Sequence, residues 1–178
     1  KRQILIDTKT KEYEVISKGH RNPQGLLYLV DKEVILSTEH GPEGGDEINK
    51  IEKGENYGWP IASYGQLPPG NYINGRKDPK PYKSHKKHGF IEPLRYFIPS
   101  VGISQLAYVP KEFNNKSNNV FVASMGRKKS VSYVYKAIFD IEFDVEFTEI
   151  KSEDVIVIGE RIRDIIFVQE TNTVLMIL

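Results

Sequence analysis

Residues 39–49 read EHGPEGGDEIN and follow directly on the apolar run Val34-Ile35-Leu36. Three glycines, a proline, four acidic side chains and a histidine fall in this one short stretch. A surface turn needs Gly and Pro for their backbone geometry, but it does not need so many acceptors and carbonyls gathered in one space. The stretch is therefore either a wide solvated loop or a loop that holds a cation.

Composition bounds the rest without naming a function. The chain has 178 residues, enough for one core, and its 28% charged and 39% hydrophobic residues are ordinary for a soluble globular protein. A formal net charge of +1 favours neither nucleic acid nor an anionic membrane as partner. The local basic runs, 83–88 (KSHKKH) and 127–129 (RKK), read as solvated loops. With no cysteine, disulfides, thiolate metal sites and cysteine nucleophiles are excluded together. No apolar run approaches the ~20 residues that span a bilayer, and no signal-peptide pattern opens the chain. Lys1 in place of Met points to a processed chain or a fragment.

The pattern is one of strands. Residues 3–16, 25–38, 105–110, 118–125, 130–140, 141–150, 153–159 and 164–178 are rich in Ile, Val, Tyr and Phe, several alternate with polar residues, and turn residues separate them. Hairpin turns are expected near Asp7–Thr10, Val30–Lys32 and Glu170–Asn172. No stretch of a dozen residues keeps a helical period. Many short antiparallel strands predict a sandwich, a barrel or propeller blades. Residues 54–93 differ, being rich in Pro, Gly, Lys and Asn, and read as a long loop insertion. Its aromatics, Tyr57, Trp59, Tyr64, Tyr72 and Tyr82, would pack it against the body, with Trp59 of NYGWP as an anchor.

Three polar constellations sit at strand ends. GHRNPQG, residues 19–25, offers the planar donor fork of Arg21 beside Asn22 and suits an oxygen-rich planar anion. The second is the stretch 39–49. In the third, GERIRDI, residues 159–165, alternation places Arg161 and Arg163 on one side and Ile162 on the other. Two adjacent guanidinium groups repel unless an anion lies between them or acids such as Glu160 and Asp164 pair with them.

GHRNPQGL, EHGPEGGDEINKIEKGENYGWP, YFIPSVGIS and GERIRDI, in this order and spacing, resemble the second half of the soluble glucose/sorbosone dehydrogenase family, whose members use pyrroloquinoline quinone. The resemblance covers nearly the whole chain. It implies an all-β fold, a partial six-bladed β-propeller of about three four-stranded antiparallel blades, with residues 1–178 one fragment of that domain and 54–93 an insertion within it. A blade takes about 40–50 residues, which agrees with that number.

The resemblance also implies roles. The carbonyls of Gly41 and Pro42 would ligate calcium, a cation that accepts hard oxygen ligands in flexible geometry, and the quinone would complete its shell. Glu39, Asp46 and Glu47 would hydrogen-bond the loop's own amides. Arg21 and Asn22 would contact the quinone oxygens, Arg21 beside the reactive carbonyl, and Arg161 and Arg163 would grip the carboxylates. A further cation would come from Arg127 or Lys128 of MGRKKS. His40, next to the calcium ligands, falls among the cofactor-binding positions. Neither His20 nor His40 matches the family's general base, which lies upstream of this chain. Ile98 before Pro99-Ser100 replaces an aromatic wall residue, and Ile103 replaces a proline, so the sugar preference is left open.

The implied reaction is oxidation of an aldose at its anomeric carbon to a lactone, with hydride passing to the quinone and electrons to an external acceptor. The fragment alone would be inactive, its site being completed by the remaining blades of a missing N-terminal half; a periplasmic or secreted location follows from the family. Two other readings are a noncatalytic binding propeller and a calcium-dependent lactonase-type hydrolase. The Gly-Pro loop and the arginine pair suit an anionic cofactor better than either.

Overall fold

The computed structural model describes residues 1–66, 81–126 and 136–178, with the backbone of 72–73 and 76–77. Two strands, β1 (Arg2–Ile6) and β2 (Tyr13–Lys18), open the chain as an antiparallel hairpin. Next come β3 (Pro23–Leu29), β4 (Val34–Glu39) and β5 (Asp46–Ile51), each antiparallel to the one before. Residues 54–93 then leave the sheet, and within them β6 (Tyr72–Ile73) and β7 (Arg76–Lys77) pair with each other. The chain returns as β8 (Arg95–Phe97), which completes the sheet beside β5.

A second four-stranded antiparallel sheet follows: β9 (Ile103–Val109), β10 (Asn119–Ser124), β11 (Ala137–Phe143) and β12 (Ile150–Val157). One turn of helix, α1 (Lys111–Asn114), joins β9 to β10. The last hairpin is β13 (Asp164–Val168) with β14 (Thr173–Ile177). The leading strands β3, β9 and β13 are neighbours, with β9 touching both of the others. Two whole sheets flanked by hairpins, their first strands side by side, make the expected partial β-propeller.

Side-chain alternation explains why the sheets stack. Leu29, Leu36, Ile48 and Phe97 of the first sheet meet Leu106, Val120, Val122, Phe139 and Ile141 of the second in one core. The opposite face of the second sheet, with Ala107, Val109, Phe121, Ala123 and Ile138, packs on Ile162 and Ile165. Strand β10 is thus covered on both faces and buried at every position, which is why NVFVAS is nearly continuous in apolar residues. On the outer strands, Ile4, Leu5 and Ile6, Val155, Ile156 and Val157, and Leu175 and Ile177 are exposed. No helix among the described residues is long and apolar enough to cross a membrane.

Three sequence expectations need correction. The stretch 141–150 is not one strand: β11 ends at Phe143, and a turn precedes β12. Asp144 builds that turn, accepting the amides of Thr148 and Glu149 at 2.6 and 2.9 Å and the Thr148 hydroxyl at 2.7 Å. The Glu149 amide and the Thr148 hydroxyl lead in holding its carboxyl down to about 2. Its apolar/polar alternation runs on through the turn, yet Val145 is exposed and Phe147 sits buried at a φ of 53°. Second, the 39–49 stretch is only partly loop, because Asp46 already begins β5. Third, the run 83–88 is not simply solvated, since His85 is buried. Tyr57 and Tyr64 do anchor the insertion: the Tyr57 hydroxyl donates to Lys50 O at 2.6 Å, and Tyr64 stacks on Tyr96 at 3.7 Å. Tyr82 is half exposed and stacks on His88 instead, and the Tyr72 side chain lies outside the described residues.

Leu36 is fully buried in the core between the sheets. Leu36→Ala is expected to cost about 2–5 kcal/mol of stability, read as a lower urea midpoint at unchanged slope.

Candidate functional site

The stretch 39–49 is organised by one carboxylate. Asp46 is buried at the start of β5 and accepts five hydrogen bonds. Gly41 N–H donates to Oδ1 at 3.1 Å and the Ser100 hydroxyl at 2.8 Å. The consecutive amides of Val101, Gly102 and Ile103 donate to Oδ2 at 3.1, 2.8 and 3.2 Å. Such a nest of amides holds a negative charge without a cationic partner. It also ties the loop after β4 to the turn before β9.

The glycines of this loop are required by close approach. A Cβ on Gly41 would lie 2.1 Å from Gly44 O, and one on Gly45, whose φ is +72°, would lie 2.2 Å from Gly65 N. The loop folds tightly on itself and against the start of the insertion.

An open cleft of about 300 Å³ lies beside it, lined in part by Arg21, His40, Gly41, Pro42, Asp46 and Ser100. No described residue donates a hydrogen bond to the carbonyl of Gly41 or Pro42. Asp46, by contrast, is fully engaged by the protein. Among the described residues no group of three His, Asp or Glu side chains is arranged to hold a metal. Two uncommitted carbonyls fit a calcium ion whose charge is balanced by an anionic ligand.

Arg21 reaches the cleft from the turn between β2 and β3. Its amide donates to Glu39 Oε2 at 2.9 Å and its Nη1–H to His40 O at 3.0 Å. Burial lowers its pKa, opposed by the charges of Asp46 and Glu39, and it remains a guanidinium cation. The His40 ring nitrogen Nε2 lies 2.6 Å from Ile103 O; a carbonyl only accepts, so Nε2 carries the hydrogen.

The remaining candidates are less gathered. Asn22 is not among the residues lining the cleft, and its Oδ1 accepts from Lys1 Nζ at 3.1 Å. Arg161 and Arg163 flank the buried Ile162 in the segment before β13. Arg161 Nη2 lies 3.7 Å from Met125 Sδ, next to Gly126 at the cleft wall, whereas Arg163 is exposed and does not line the cleft. Neither arginine pairs with a described carboxylate, so the expected alternative of bridges to Glu160 or Asp164 is not what occupies them. Arg127 and Lys128 lie outside the described residues.

Behind the loop is a buried polar group that the sequence did not reveal. Glu39 and Glu47 face each other across β4 and β5, with Asn49 Nδ2 between them at 3.4 and 3.5 Å. His20 Nδ1 lies 3.7 Å from Glu39, and His85 Nε2 lies 3.6 Å from Glu47. Of the three acids expected to bind the loop's amides, only Asp46 does so; Glu39 serves Arg21, and Glu47 faces inward. Pairing period along β4 and β5 would have put Glu39 opposite Glu47, but His85 comes from the insertion, and no spacing signals it. Burial, then the neighbouring Glu39 charge, pushes the Glu47 carboxyl well above the usual range, while burial lowers the His85 pKa.

A partial propeller whose Gly-Pro loop and Arg21 line one cleft is the class that fold and site define. The sequence pattern of the family described as Glucose / Sorbosone dehydrogenase matches residues 3–178, and the chain belongs to that family. The aldose sugar dehydrogenase YliI of Escherichia coli is 37% identical over 116 residues, 65% of this chain and 30% of that protein. The crystal structure of the soluble aldose sugar dehydrogenase from E. coli in the apo-form superimposes with a TM-score of 0.71 at 26% identity, covering 96% of this chain and 45% of that one. The PQQ-bound aldose sugar dehydrogenase of Streptomyces coelicolor superimposes at 0.57 and 25% identity, covering 85% and 36%. The chain spans about a third of the length of the curated relatives it matches.

Two outcomes follow from the buried carboxylates. Asp46→Asn is expected to cost about 3 kcal/mol, because an amide NH2 would face donors, and Ser100→Ala only about 1 kcal/mol, both read by urea unfolding. For Glu47 the folded state binds the proton more tightly than the unfolded chain. Its contribution is therefore fully present below the ordinary glutamate range, about 4.3, and is lost as pH rises through the raised value. Thermal melts should show stability falling with rising pH in that window, and Glu47→Gln should flatten the dependence.

Proposed function

We propose that this chain forms the cofactor-binding part of a PQQ-dependent aldose dehydrogenase, a quinoprotein that oxidises an aldose at its anomeric carbon to a lactone. The observation that carries this reading is the meeting, in one cleft, of the Arg21 cation with the uncommitted carbonyls of Gly41 and Pro42. Gly41 and Pro42 would hold calcium, and Arg161 and Arg163, unpaired with described acids, would hold the carboxylates of the cofactor. When bound, the quinone supplies the hydride acceptor.

This chain's own residues do the positioning. Arg21 places a fixed positive charge where negative charge develops, and the Asp46 nest keeps the loop carbonyls in register with the turn 99–103. His40 acts as a hinge pin: its ring holds Ile103 O and its carbonyl holds Arg21. With its Nε2–H committed to a carbonyl, it is a positioning residue and not the general base. That base, and the rest of the sugar site, belong to the other blades of the propeller, which would cover the exposed Ile, Val and Leu of the two end hairpins. An external electron acceptor and a periplasmic or secreted location are parts of the same proposal.

The test is reconstitution of the full-length protein with PQQ and calcium, followed by dye-linked assay against a panel of aldoses. Arg21→Ala and Arg161→Ala are each expected to weaken cofactor binding about 10- to 150-fold, the worth of one charged hydrogen bond. Folded protein that takes up no quinone would sink the proposal.

A further inference from the structure

Trp59 is the single tryptophan of the chain, and the NYGWP motif that carries it is not used by the function above. The Cζ atom of Arg21 lies over its ring, 5.3 Å from the centroid. Arg21 lines both the cleft and a small neighbouring cavity of about 10 Å³, whereas Trp59 lines only the cavity. The indole therefore meets a guanidinium whose residue also lines the cleft, while Trp59 itself does not line it.

The two segments are fastened to each other. Tyr57 N–H donates to Lys18 O at 2.9 Å and Trp59 N–H to Gly19 O at 2.8 Å. The rings of Tyr57 and His20 stack at 4.6 Å. The turn 56–59 is thus built onto the turn 18–21, which sets the indole beside the Arg21 side chain. Of the five N–H donors of the guanidinium, one is engaged by a described residue, through Nη1 to His40 O. An aromatic face holds the plane of the cation without consuming its edge donors, which stay free for an anion.

We propose that Trp59 is a positioning residue for Arg21: its indole face presents the guanidinium edge to the cleft, so that the affinity of the site for a carboxylate-bearing quinone depends on an aromatic at position 59. This rests on the reading of Arg21 as a cofactor contact. It differs from a packing anchor, for which any side chain filling the same volume would serve.

The experiment uses the full-length protein with Trp59→Leu, Trp59→Met and Trp59→Tyr. Two readouts are taken: PQQ affinity by absorbance titration, and the Arg21 Nε–H resonance of the unloaded protein, assigned by its loss in Arg21→Lys. The indole should shift that resonance by its ring current. Expected are loss of the shift and about 3- to 30-fold weaker PQQ binding in the Leu and Met variants, with Tyr restoring most of both at matched melting temperature. Leu or Met variants that bind as wild type, or Leu, Met and Tyr variants that lose affinity only in proportion to stability, would overturn the proposal. Should Leu fail to fold, Met and Tyr still decide it. If the wild type binds no PQQ but the resonance moves as expected, the positioning stands and only the cofactor reading falls.

Discussion

The site depends on the carboxylate of Asp46. A buried anion needs either a cation or a full set of donors, and here four backbone amides and one hydroxyl supply the set. Because those donors come from the loop after β4 and from the turn that opens the second sheet, one residue fixes two sheets relative to each other at the end where the cleft lies. The same engagement removes Asp46 as a metal ligand. What remains in the cleft lining includes Gly41 and Pro42, whose carbonyls no described residue engages, and the cationic Arg21.

The sheets place these parts. Each four-stranded sheet buries one face against its neighbour, and β10, in the middle, buries both. Stacking brings β3, β9 and β13 side by side, so the turns preceding those strands converge. Arg21 precedes β3, the Ser100–Gly102 turn precedes β9, and Arg161 precedes β13. Three segments far apart in sequence become one neighbourhood because each occupies the same position relative to its own sheet.

Much of this was legible in the residues. Alternation with β-branched and aromatic residues marked most strands, β10 among them. It failed at 141–150, where Asp144 and its backbone donors turn the chain while the apolar period continues, and at β8, which is three residues long and follows the insertion. Of the site, Arg21, Gly41 and Pro42 were visible as a cation and a tight carbonyl loop. Asp46 was visible as an acid, but its partners at 100–103 were not, since a hydrogen bond across more than fifty residues leaves no local pattern.

The sequence by itself determined the strand class, the Gly-Pro loop and the family, because these rest on residue types at fixed local spacing. Only the tertiary structure decided which of the described acids are committed and what Arg21 rests against. Glu39 and Glu47 look alike in the chain, yet one supports Arg21 while the other is driven toward its neutral form by burial. Trp59 looks like a loop anchor, yet its ring also lies against the Arg21 guanidinium. Charge state and orientation depend on what surrounds a group in space, and that is fixed only when the sheets stack.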